Sequence, residues 1–97
     1  MHALELARYH VDIDKAEQLR SRWPAAVAAV RARFPGLIDA SLARLDERTW
    51  IDVWRWETLE AATAAAAGAG DLPEVAAMFA LIDEVVAMEH AEVVERA

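Results

Sequence analysis

Ninety-seven residues, 57% hydrophobic and 28% charged, suit one small globular domain spanning residues 1–97. A net charge of −7 disfavours nucleic acid and anionic lipid as partners. The absence of cysteine removes disulfides, thiolate metal sites and cysteine nucleophiles, and it fits a cytoplasmic protein.

The N-terminal residues Met1-His2-Ala3-Leu4-Glu5 lack the basic and apolar blocks of a signal peptide, and no stretch reads as a membrane span. Residues 3–11 alternate as a first strand, which Asp12-Ile13-Asp14 ends. Asp14 and Glu17 have capping-box spacing, so a helix is expected from Asp14. Its apolar stripe is Leu19, Trp23, Val27, Val30 and Phe34. Pro24 predicts a kink, and Pro35-Gly36 predicts the stop. Arg20, Arg22, Arg31 and Arg33 read as the solvated face of that helix.

Residues 37–45 and 49–57 read as two strands joined by the polar turn Asp46-Glu47-Arg48, an antiparallel hairpin. Thr58 is placed to cap a helix over 59–67, whose alanines reflect simple helix propensity. After the break at Gly68-Ala69-Gly70, Asp71 and Glu74 repeat the capping-box spacing. They predict a helix through about Ala87 with the stripe Val75, Met78, Phe79, Ile82, Val85 and Val86. Residues 88–95 read as a final strand. The resulting order is β-α-β-β-α-β.

Strand three carries the most information. Trp50, Asp52, Trp54 and Trp56 share one face, while Ile51 and Val53 occupy the other. Strand one is also apolar on both sides, with Leu4 and Leu6 opposite Ala7, Tyr9 and Val11. Helices can cover only one face of a four-stranded sheet in this order. The other is expected to meet a second copy of the chain in a two-fold homodimer.

The chain resembles the antibiotic biosynthesis monooxygenase-like family of the dimeric α+β barrel superfamily. The resemblance lies in Leu6-Ala7-Arg8-Tyr9-His10-Val11, Pro35-Gly36, Val53-Trp54-Arg55-Trp56-Glu57-Thr58, Pro73-Glu74-Val75 and Glu89-His90-Ala91-Glu92-Val93. It implies an α+β, ferredoxin-like subunit with an antiparallel four-stranded sheet, a homodimer, and a pocket between sheet and helices. It further implies oxidation of a small aromatic, polyketide- or quinol-like substrate by molecular oxygen, with no cofactor, neither metal nor flavin. Trp56 matches the family's pocket tryptophan, and Tyr9 falls where strand one points a polar residue into the pocket.

Trp50 and Trp54 extend that aromatic wall as candidate substrate-binding residues, although all three tryptophans also fit plain core or interface packing. Asp52 among them is either a base or the partner of an arginine such as Arg44. His10 and His90 are candidate proton acceptors, and pairing of the first and last strands could bring them together. No spacing supports a metal site, and Gly68-x-Gly70 follows no strand, so it is not a nucleotide fingerprint. The chain has no asparagine, and its second helical region has no histidine. Haem degradation, which in this superfamily uses both, is therefore not expected, and an anthrone oxidation that binds substrate oxygen through asparagine would need another donor. A non-catalytic binding dimer and a cyclase or isomerase are the alternative readings.

Overall fold

The structure, a computed structural model, describes residues 1–97. Strand β1 spans Ala3–His10, and a 3-10 turn at Ile13–Lys15 leads into helix α1, Ala16–Arg33. Strands β2, Leu37–Arg44, and β3, Thr49–Trp56, form the expected hairpin. Helix α2 spans Leu59–Gly68, helix α3 Pro73–Phe79 and strand β4 Glu84–Glu92. The sheet order is β2-β3-β1-β4 with every pair antiparallel, the ferredoxin-like arrangement.

Local signals explain most of these boundaries. The Asp46 carboxylate accepts from the Arg48 and Thr49 amides, at 3.0 and 2.8 Å, and so closes the hairpin turn. Thr58 Oγ1 accepts from the Ala61 amide at 3.0 Å and starts α2 as expected. Gly36 lets α2 approach closely, since a Cβ there would lie 3.0 Å from that of Ala61. Helix α1 runs unbroken through Pro24.

Three expectations require correction. The first cap is Asp12, not Asp14: the Asp12 side chain accepts from the Asp14 amide in an Asx turn, and α1 starts at Ala16. Asp71 does not cap α3 either; it lies in the 3-10 turn Ala69–Asp71, and Leu72 takes the cap position without a side-chain bond. The last helix stops at Phe79 rather than Ala87. The Leu81 and Ile82 amides tighten onto Met78 and Phe79, and the Asp83 amide then bonds to the His10 carbonyl, which begins the β1–β4 ladder. Val85 and Val86 leave the helix stripe for a strand, where their branched side chains fit, and each stays about half exposed.

The two faces of the sheet divide as the alternation predicts. Trp50, Asp52, Trp54 and Trp56 point toward the helices with Ala3, Ala7 and Tyr9, under Leu19, Val27, Val30, Ala62, Ala65 and Met78. The opposite face carries Leu4, Leu6, Ile51 and Val53, which are half-buried, and no element of the chain crosses it. A hollow of about 340 Å³ on that face is lined by Leu6, Arg8, Ile51, Ala87 and Glu89, among others.

Candidate functional site

A mostly apolar cavity, partly open to solvent, lies between the sheet and the helices. Tyr9, Asp52, Trp54 and Trp56 line its sheet side together with Glu5 and Ala7. Val30, Ala65, Met78 and Phe79 cover it from the helices, and Met88 closes it from β4. Its free volume is only about 50 Å³, far below the roughly 300 Å³ or more of a typical ligand pocket. The expected flat pocket is therefore nearly filled in the ligand-free chain. At its mouth Phe79 and Met88 are 40% and 45% exposed.

Asp52 is the chemical centre of this cavity and only 3% exposed. It is not paired with an arginine. Trp54 Nε1 donates to Oδ1 at 2.6 Å, Trp23 Nε1 donates to the same oxygen at 3.0 Å, and the Tyr9 hydroxyl donates to Oδ2 at 3.1 Å. Burial outweighs these three donors and pushes the Asp52 carboxyl up to about 6, with the negative charge of Glu5 adding to the rise. Such a group is mostly ionised at neutral pH yet takes up a proton readily. Oδ2, with a single donor, keeps the more available lone pair. Tyr9 is pushed well above its ordinary value by burial first and by Asp52 second, so it stays a neutral donor.

Arg44, the expected partner of Asp52, instead lies 5.3 Å over the ring of Trp50 in a cation–π contact. Trp50 is buried beside the cavity but does not line it, and its indole N–H has no partner. Trp56 lines the cavity, and its buried indole N–H also lacks a partner.

The two histidines do not meet. Antiparallel pairing puts His10 opposite Glu84 and His90 opposite Glu5, at opposite ends of β4. Alternation turns His10 to the other face, where Nδ1 lies 3.1 Å from Glu84 Oε1 beside an open, charged hollow of about 430 Å³. His10 is thus no part of this cavity. His90 backs onto it through Glu5, with Nε2 3.0 Å from Glu5 Oε2. No three His, Asp or Glu side chains converge closely enough to hold a metal ion.

Sequence reasoning missed two members of the site. Trp23 belongs to the core stripe of α1 and packs there, edge-on to Trp54 at 6.5 Å, but its N–H serves Asp52. Glu5 occupies an inward position of β1 between Ala3 and Ala7; a charge there was the available signal.

The sequence profile of the antibiotic biosynthesis monooxygenase family matches residues 3–79, which include the four residues of β3 and β1 that centre the cavity. The chain belongs to this family. A variant of SnoaB, a cofactor-independent oxygenase from Streptomyces nogalater, is 26% identical over 99% of this chain and 94% of its own, with a TM-score of 0.68. A candidate antibiotic biosynthesis monooxygenase from Caulobacter crescentus is 20% identical over 97% and 91%, with a TM-score of 0.75. A variant of MhuD with two manganese protoporphyrin IX molecules bound per active site is 23% identical over 98% and 97%, with a TM-score of 0.74. The last two likenesses establish the shared fold. No curated protein matches the chain. No helix of this monooxygenase-family chain is long and apolar enough to cross a membrane.

Proposed function

We propose that the protein is a cofactor-independent monooxygenase that oxidises a small aromatic carbon acid, of anthrone or quinol type, with molecular oxygen. The observation that carries this reading is Asp52, a buried carboxylate poised near neutrality in an apolar cavity that Trp56, whose N–H is unpartnered, also lines. In an anthrone, the Asp52 carboxylate takes a proton from the acidic ring CH2, and Trp56 Nε1–H donates to the oxygen that gains negative charge. The electron-rich anion passes an electron to oxygen, and the radical pair combines to a peroxide. Loss of water leaves a ketone in place of the CH2. One oxygen atom enters the product and the other leaves as water, so no outside reductant is required. Tyr9 holds the base, and Trp54 supplies an aromatic wall. Substrate reaches the cavity by displacing Phe79 and Met88.

Oxygen uptake by the purified, metal-free protein with anthrone tests this reading. The expected result is one oxygen consumed per anthrone, at a rate that climbs as pH rises through about 6 and Asp52 ionises. Tryptophan quenching by anthrone with no oxygen consumed would instead establish a binding protein, and isomerisation or ring closure without oxygen a cyclase or isomerase.

The proposed working unit is a two-fold dimer with the uncovered sheet faces packed together. Replacing Val53 with Asp puts a charge into that contact and should weaken association by roughly tenfold or more. An unchanged dimer in sedimentation would place the interface elsewhere.

A further inference from the structure

The cavity holds two carboxylates, and the proposed oxidation uses only Asp52. Glu5 enters the same space from β1, and His90 on the edge strand β4 stands 3.0 Å behind it. Their side chains are only 15% and 23% exposed, and each is the other's sole side-chain partner. The helices present Val30, Ala65, Met78 and Phe79 to this space, with no charge among them. The other titratable groups facing it are Asp52 and Tyr9. The two carboxylates differ in how they are held. Asp52 accepts three bonds from neutral donors, which stabilise its anion, whereas Glu5 has one partner that can exchange a proton with it.

We propose that Glu5 and His90 hold one exchangeable proton between them and serve as the acid that complements Asp52. The inference rests on the oxygenase reading and completes its proton balance. Asp52 takes the first C–H proton, and oxygen adds to the resulting anion. The Glu5–His90 pair protonates the terminal peroxide oxygen, giving a hydroperoxide. The pair, now one proton short, accepts the remaining C–H proton as the O–O bond breaks and the C=O bond forms. Protonated Asp52 delivers its proton to the departing hydroxide, which leaves as water. Both groups return to their starting states, and the net transfer is of two substrate hydrogens to one water molecule.

Glu5→Gln keeps the side-chain volume and removes the exchangeable proton. With anthrone as probe, kcat should fall roughly tenfold or more while KM stays within about twofold, and the rise of the rate with pH should move to lower pH, because Asp52 loses the negative charge of Glu5. An unchanged pH profile would overturn the proposal. Nuclear magnetic resonance of the ligand-free protein supplies a readout independent of turnover. One slowly exchanging proton shared by Glu5 and His90 should be present in wild type and lost in Glu5→Gln, and the Asp52 carboxyl should titrate at lower pH in the variant. Should wild type leave anthrone unoxidised, the oxygenase reading fails on its own, and these signals alone decide the pair. Their absence, or an Asp52 titration indifferent to Glu5, would refute it.

Discussion

Asp52→Asn should stabilise the folded protein at pH 7 while lowering anthrone oxidation by at least about a hundredfold. The activity loss follows because an amide cannot take up the substrate's proton. The stability gain follows from the raised pKa. The Asp52 carboxyl sits at about 6 in the folded chain, above the roughly 4 of an unfolded aspartate. Below pH 4 the group is protonated in both states and contributes no pH dependence. Between 4 and 6 the folded state binds the proton more tightly, so stability declines as pH rises. Above 6 the buried anion costs on the order of 3 kcal/mol relative to an exposed one, because the folded and unfolded values lie about two pH units apart. Asparagine removes that cost and still accepts from the Trp23 and Trp54 indoles, but the Tyr9 hydroxyl must turn to accept instead of donate. The net gain at pH 7 should therefore be roughly 1–2 kcal/mol, and it should disappear at pH 4. Urea unfolding at the two pH values measures it. An equal loss of stability at both would mean that Asp52 is a structural hub, not a strained functional group.

Trp56 should separate packing from chemistry. The side chain is 1% exposed, and its loss in Trp56→Ala opens the core, which costs about 3–5 kcal/mol. That is a large share of the roughly 5–15 kcal/mol that keeps a domain folded. Anthrone affinity should fall at least tenfold in the same variant, a greater effect than any change in dimer dissociation. Trp56→Phe is the sharper test, because it keeps an aromatic wall and removes only the N–H and part of the ring volume. Its unfolding free energy should drop by about 1–2 kcal/mol, and oxidation should slow roughly tenfold as the donor to the developing oxyanion is lost. Oxidation at the wild-type rate in Trp56→Phe would show that the indole N–H has no part in the reaction.

What could be read from the chain and what could not separate along physical lines. The tryptophan face of β3, the hairpin at Asp46 and the Thr58 cap depend on neighbours within a few positions, and all three are legible as written. The end of α3 is not, because Val85 and Val86 satisfy the helical and the strand period equally. Pairing with β1, some 75 residues earlier, decides between them. The site shows the same division. That Asp52 faces inward follows from alternation, but that it is held by Trp23 rather than Arg44 depends on how α1 lies over the sheet. The small volume of the cavity is set by the bulk of Phe79, Met78 and Met88, and no periodicity reports how side chains fill a space.

Met78 and Met88 wall the cavity and so stand where the proposed oxidation would make its peroxide. Thioethers are readily converted to sulfoxides, which are polar, and each such event would wet a lining that has to stay dry. With no cysteine anywhere to absorb the damage, wear would concentrate on these two side chains. Under the proposed oxidation the protein would age with every leaked turnover, its working life counted in catalytic cycles as much as in hours.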